Sequence, residues 1–251
     1  MLSLIPISDS NPTRRFPIVT VALIVANIFV FFFVEPGFGE SGRAQLYFFD
    51  NAPVPCQLPG DCPAGVRVGP GTVAQIPDRN LVSFLSASIF STFLHAGFLH
   101  IIGNMLFLWI FGNNVEDFVG RVRYLLFYLA GGIAATLAHV FTHLDSFVPG
   151  VGASGAVAAV MGAYLLLYPR AKVNVLVPIF ILFTVVRLSA WVVLFLWFGY
   201  QFFLAAQELA GPIGVAWAAH AGGFVFGLIA ILLLGGRPQR PRQIWQPQWR
   251  Y

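Results

Sequence analysis

The chain has 251 residues, of which 58% are hydrophobic and 10% charged, with a formal net charge of +4. Soluble domains carry about 25% charged and roughly 45–50% apolar residues, so the composition argues against a soluble globular protein and for a polytopic membrane protein. The length suits one helical bundle without a second soluble domain.

A membrane-spanning helix needs about 20 predominantly apolar residues, with a range of roughly 17 to 25. Residues 1–16 read as a cytoplasmic N-terminal segment. The first apolar run, 17–34, ends in Val34-Glu35-Pro36 rather than at a small-residue cleavage site, so it is expected as a retained span. A long outer loop, 35–91, follows; it is rich in Pro and Gly between 53 and 77 and apolar toward its end. Further spans are expected at 94–112, 122–142, 154–168, 188–206 and 212–234, the fourth being short enough to start below the membrane surface. The apolar stretch 175–206 is too long for one upright helix. It is divided at Arg187, which leaves 175–186, with Pro178 inside, as an interfacial or re-entrant piece. The tail 235–251 mixes Arg, Pro, Gln and Trp and is expected to lie along the cytoplasmic interface. The fold class is therefore all-α: a six-transmembrane-helix bundle over 17–234.

Orientation follows from the distribution of Lys and Arg between alternate connections. With the N-terminus cytoplasmic, Arg14, Arg15, Arg121, Arg123, Arg170, Lys172, Arg187, Arg237, Arg240, Arg242 and Arg250 lie inside, leaving only Arg43, Arg67 and Arg79 outside. Both termini are then cytoplasmic, and a bacterial cell membrane is the expected location. The positive charge is a topology signal that requires no nucleic-acid partner; the basic ends can also touch anionic lipid.

Chemistry is concentrated at one depth. Gly152-Ala153-Ser154-Gly155 heads the fourth span, and His220 lies within the sixth, where an ionisable side chain is expensive without a role or a partner. A serine hydroxyl is a poor nucleophile at neutral pH and needs a base within hydrogen-bond reach, so Ser154 and His220 are candidates for nucleophile and general base. An anionic tetrahedral intermediate needs preorganised donors. The backbone N–H of Ser154 at a helix start supplies one, and His100 and Asn104, four apart on one helical face, can supply others. Small-residue stripes, Ser154, Ala158 and Gly162 on one helix and Ala216, His220, Gly223 and Gly227 on another, let the two backbones approach.

These segments, together with His95-Ala96-Gly97-Phe98-Leu99-His100 followed by Asn104-Met105, and Ala219-His220 followed by Gly223 and Gly227, resemble the rhomboid intramembrane serine proteases over roughly residues 80–234. The resemblance implies a serine endopeptidase with Ser154 as nucleophile, His220 as base, and His100 and Asn104 as side-chain donors of the oxyanion hole. It also implies no cofactor, and as substrates other transmembrane proteins whose helix unwinds locally, with small side chains near the scissile bond. At Ala158 the chain departs from relatives that carry an aromatic ring to stack on the base histidine.

No Asp or Glu lies within the drawn spans, so a dyad is expected, with Asp145 and Glu208 read as solvated loop charges rather than orienters. His95 is expected as a structural, interfacial histidine. The rival chemistry is a zinc site on the i, i+4 pair His139 and His143, but a zinc-protease helix would carry a glutamate next to its first histidine and this one does not. A transporter or a non-catalytic membrane-protein binder is the third class. Cys56 and Cys62, the only cysteines, are expected to close a disulfide on the oxidising side.

Overall fold

A computed structural model describes residues 5–36, 42–69, 71–179, 182–208 and 217–239. Helix α1 (Ile18–Phe29) continues through a π-helical turn, Val30–Val34. The first loop holds α2 (Gly42–Asn51) and α3 (Leu81–Ser91). The bundle is completed by α4 (Phe98–Val119), α5 (Arg121–Thr142), α6 (Ser154–Leu167), α7 (Ala190–Glu208) and α8 (Trp217–Leu233).

The chain is an α-helical membrane protein by composition and helix content. Helices α4 and α5 are long and apolar enough to cross a bilayer on their own; α1 with its π turn, α3, α6, the start of α7 and α8 are apolar but shorter. At 1.5 Å per residue the 14 residues of α6 reach roughly 21 Å, against a hydrocarbon core of about 30 Å.

The all-α expectation is too narrow. The segment 175–186 belongs to an antiparallel hairpin of β4 (Lys172–Ile179) and β5 (Leu182–Ser189), and β1 (Ile5–Asp9) pairs with the other edge of β4, giving the order β1-β4-β5. Arg187 therefore sits in β5 opposite Asn174, not at a helix start, and the N-terminal segment is part of the sheet. The physical cause is period-2 patterning: Val173 and Val175 are fully buried while Lys172 and Asn174 between them point the other way. Asp9 anchors β1 to the bundle. Its Oδ2 accepts from the Tyr164 hydroxyl at 2.6 Å and from Asn114 Nδ2 at 3.0 Å, and burial pushes its carboxyl up to about 6 against those bonds.

The first loop is folded rather than extended. Helix α2, a 3-10 turn at Pro55–Gln57 and a ribbon of β2 (Val66–Gly69) and β3 (Thr72–Ala74) enclose a small core of Phe49, Val54, Cys56 and Ala74. Cys56 and Cys62 are disulfide-bonded, with Cα atoms 5.0 Å apart. The N-terminus of α3 is capped by Asn80, whose side chain accepts from the Ser83 N–H at 2.9 Å.

Two local devices set the bundle. Gly120, at φ +85°, is the whole turn between α4 and α5, a conformation that side chains resist. Helix α1 begins at Pro17 without a side-chain cap of its own. Its orphan donors go instead to the buried carboxylate of Glu116 on α4, which accepts from Val19 N at 3.0 Å, Thr20 N at 2.8 Å and Thr20 Oγ1 at 2.7 Å. Helix α6 is buried from Gly155 to Tyr164 and forms the centre. Against it α8 lies backbone to backbone: a Cβ at Gly223 would strike the carbonyl of Gly155, one at Gly227 that of Ala159, and one at Gly162 that of Phe224.

Candidate active site

Ser154 is the first residue of α6, and the turn before it is shaped by Gly152, whose φ of +130° is open to glycine and strained for other residues. The Gly152 N–H donates to the Ser91 carbonyl at 3.0 Å, tying this turn to the end of α3. From α8, in its first turn, His220 reaches across the glycine contacts. Its Nε2 lies 2.8 Å from Ser154 Oγ, a hydrogen bond between residues 66 apart in sequence. Of the expected small-residue stripes, Ser154, Gly162, His220, Gly223 and Gly227 take part in the α6–α8 contact, where Gly155 and Ala159 supply the α6 carbonyls; Ala216 of the second stripe lies outside the described residues.

His100, in the first turn of α4, packs its imidazole over Gly152. A Cβ built there would stand 2.6 Å from His100 Cε1, 2.8 Å from its Nε2 and 3.5 Å from Ser154 Oγ. Asn104 lies one turn farther along the same face of α4; it is buried, and its Nδ2 has no hydrogen-bond partner. A buried amide donor without an acceptor is costly, and it is what a site built for an anion formed later would hold in reserve. The Ser154 N–H at the start of α6 adds a donor with the positive end of the helix dipole behind it.

The other residues singled out in the sequence are placed as follows. His95 is buried, its ring edge-on to Phe31 at 6.4 Å and to His100 at 5.2 Å. Asp145 is exposed in the α5–α6 loop. The side chain of Glu208 and residues 240–251 of the tail fall outside the described residues. His139 and His143 stack with ring centroids 4.7 Å apart, but His143 Nδ1 is 2.8 Å from Thr142 Oγ1, and no group of three or more metal-binding side chains occurs among the described residues.

Several contributors were not legible beforehand. Glu35, just past the π turn of α1, accepts from the backbone N–H of His95 at 2.9 Å, holding the turn that leads into α4; burial raises its carboxyl to about 7. A cavity of about 40 Å³ lies beside Ser154, lined by Ser91, Thr136 and His139 and by Pro53 and Pro55 of the first loop, with room for water. The first loop is pinned above it: Cys56 N donates to Ser146 O at 3.2 Å and Gly150 N to Pro53 O at 2.8 Å. Trp197 of α7 stands 5.9 Å from the His220 ring, tilted 47°. A proline-rich outer loop was the only sequence signal for the lining, and nothing local marked Trp197.

A hydroxyl bonded to an imidazole, beside a helix N-terminus and two side-chain donors, is an arrangement able to carry out acyl transfer. Comparison with known proteins identifies the family of the chain. Residues 83–237 match the family model described as Rhomboid domain. The chain is 33% identical over 147 residues to presenilin-associated rhomboid-like protein A, mitochondrial, of Danio rerio, covering 56% of this chain and 35% of that protein. It is 29% identical over 174 residues to Rhomboid protein 1, mitochondrial, of Saccharomyces cerevisiae, covering 66% and 46%. With Rhomboid protease GluP of Bacillus subtilis it shares 43% identity over 72 residues, 29% of this chain and 14% of that one. The chain thus spans between a seventh and about half of the length of these relatives. Because the family model covers more than half of its residues, the chain belongs to the rhomboid family.

Proposed function

We propose that this protein is an intramembrane serine endopeptidase that cleaves other transmembrane proteins in or near their membrane helices, using Ser154 and His220 as a dyad. The observation that carries the proposal is the 2.8 Å contact between Ser154 Oγ and His220 Nε2. In the reaction, His220 takes the hydroxyl proton as Oγ attacks the scissile carbonyl, and the resulting oxyanion is held by the Ser154 N–H, His100 and Asn104. Collapse of the intermediate breaks the C–N bond, and His220 returns the proton to the leaving amine. A water, activated by the same histidine, then hydrolyses the acyl-enzyme; the cavity beside Ser154, which Ser91, Thr136 and His139 help to line, is a place from which it can come. No step calls for a cofactor or metal.

In this proposal six helices, α1 and α4 to α8, cross the membrane, with both termini and the β1-β4-β5 sheet on the cytoplasmic side of a bacterial cell membrane and the dyad toward the outer leaflet. The basic residues at the sheet end support that orientation, as does the disulfide in the first loop, which belongs on an oxidising face. The relatives named mitochondrial support the membrane setting but not the bacterial compartment.

The test is incubation of the purified protein, its Ser154→Ala form and its His220→Ala form with a model transmembrane substrate, beside labelling with a fluorophosphonate probe. Cleavage by the wild type, its loss in both variants and labelling at Ser154 are expected, with the double variant little worse than either single one. Binding of the substrate without cleavage by the wild type would instead leave a non-catalytic membrane-protein binder.

A further inference from the structure

Carboxylates bond α1 to α4 at both ends. At the start of α1 the acceptor is Glu116 of α4; at the far end the direction is reversed, and Glu35, just past α1, accepts from the turn that leads into α4. The π turn Val30–Val34 delivers that group. Phe32, Phe33 and Val34 are exposed, whereas Phe31 and Glu35, four apart across the turn, are buried and both meet His95. Single π turns within α-helices are frequent at functional sites.

The bond from the His95 N–H leaves its own stretch of chain. The N–H groups of Phe93 and Leu94 turn back to the carbonyls of Phe90 and Ser91, and those of His100 and Ile101 both go to Gly97, while His95 N reaches Glu35 Oε1 at 2.9 Å across 60 residues of sequence. The bond is buried, and a buried N–H left without an acceptor is costly. From His95 the tie continues through rings. Its imidazole is 1% exposed and stands edge-on to that of His100, 5.2 Å away at 67°. His100 in turn packs over Gly152. Glu35, His95 and His100 thus form a continuous chain from the end of α1 to the donor side of the dyad.

We propose that Glu35 is a positioning residue for the oxyanion side of the site: by holding the His95 backbone it sets the His95 ring, and through that ring the His100 imidazole. The assignment rests on the hydrolase reading of the dyad. His100 donates to charge that develops only in the transition state, so a loosened ring lowers turnover and leaves substrate binding largely unchanged.

The experiment measures steady-state cleavage of a model transmembrane substrate by detergent-purified full-length protein, with active molecules counted by saturating fluorophosphonate labelling so that kcat is per folded site. Glu35→Ala should lower kcat by about 10-fold, less than the roughly 10²-fold expected for outright loss of an oxyanion donor, with KM changed less than about twofold. Glu35→Gln keeps an oxygen that accepts from the His95 N–H and should recover to within about threefold of wild type. In a His100→Ala background Glu35→Ala should cost less than about twofold, because its route to the site is gone. Where Glu35→Ala gives no folded protein, Glu35→Asp, which draws the carboxylate back by one methylene, takes its place with the same expectations. Equal kcat per site in wild type and variant overturns the role of Glu35 alone. So does an equal loss with and without His100, which would make the bond a packing tie only. A wild-type protein that neither cleaves nor labels at Ser154 overturns the hydrolase reading and this role together.

Discussion

Replacing Gly152 by alanine tests how the oxyanion side of the site is held, and the structure sets the magnitude. Two costs arise from one methyl group. The backbone sits at φ +130°, where a non-glycine residue is strained by about 1–3 kcal/mol. The new Cβ would also stand 2.6 Å from His100 Cε1 and 2.8 Å from its Nε2, where ordinary contact begins near 3.4 Å, so the imidazole must retreat by most of an ångström. Catalytic geometry tolerates about 0.5 Å, and a displacement of about 1 Å can cost roughly 10²-fold, as can loss of one oxyanion donor. Gly152→Ala should therefore lower kcat by about 10²-fold with a smaller change in KM, beside a modest fall in Tm in detergent. Gly150→Ala is the control: its Cβ would meet only Pro53, at 3.6 Å or beyond. If displacement of His100 is the cause, Gly152→Ala combined with His100→Ala should be little worse than His100→Ala alone. A Gly152→Ala protein with kcat within about threefold of wild type would refute the claim that the His100 ring is held in working position by the bare backbone at 152.

Glu116 and Asp9 carry the remaining expectations. Glu116→Ala leaves three donors at the buried start of α1 without an acceptor and should cost on the order of 3–5 kcal/mol, whereas Glu116→Gln keeps an acceptor and should cost less; thermal unfolding in detergent separates them, and equal Tm values would rule out the capping role. For Asp9 burial raises the folded carboxyl from the ordinary 3.8 to about 6, so the folded state binds the proton more tightly than the unfolded chain does. The stabilisation from that proton is full below about pH 4 and is lost as pH rises through 6. Wild-type Tm should fall across that window and Asp9→Asn should flatten the fall, standing above wild type at pH 8; an unchanged slope in Asp9→Asn would sink the assignment.

The parts of the molecule legible in the sequence are those whose cause is local. Apolar runs gave the helices because length and hydropathy are summed over neighbours: four of the expected runs match α1 with its π turn, α5, α6 and α7 to within two residues, α4 runs seven residues past the expected end at 112, and α8 agrees from Trp217 onward. Gly152 and Ser154 stood out because a glycine-flanked hydroxyl is a short-range pattern, and His220 because a lone imidazole in an apolar run is conspicuous. The hairpin was hidden by the same rule of summation. Val175 to Val186 is apolar throughout, and only the alternation from Lys172 to Val175 carried the period of a strand, with a partner, β1, that lies more than 160 residues away. Asp9 carries no local signal, because its partners Tyr164 and Asn114 are brought to it only by the fold.

The same division runs through the site. Ser154 and His220 ride on α6 and α8, whose backbones touch through Gly162, Gly223 and Gly227, so the distance between the two reacting atoms is fixed by groups that cannot change rotamer. On the oxyanion side the bare backbone of Gly152 gives room for the His100 ring in the same way. A substitution that fills one of these glycine contacts should therefore act on the distance between the reacting atoms. Gly223→Ala drives a methyl group into the Gly155 carbonyl, so it should part α6 from α8 and lower the yield of folded protein in detergent together with activity; a Gly223→Ala protein with wild-type Tm and wild-type activity would refute the backbone contact as what sets that distance.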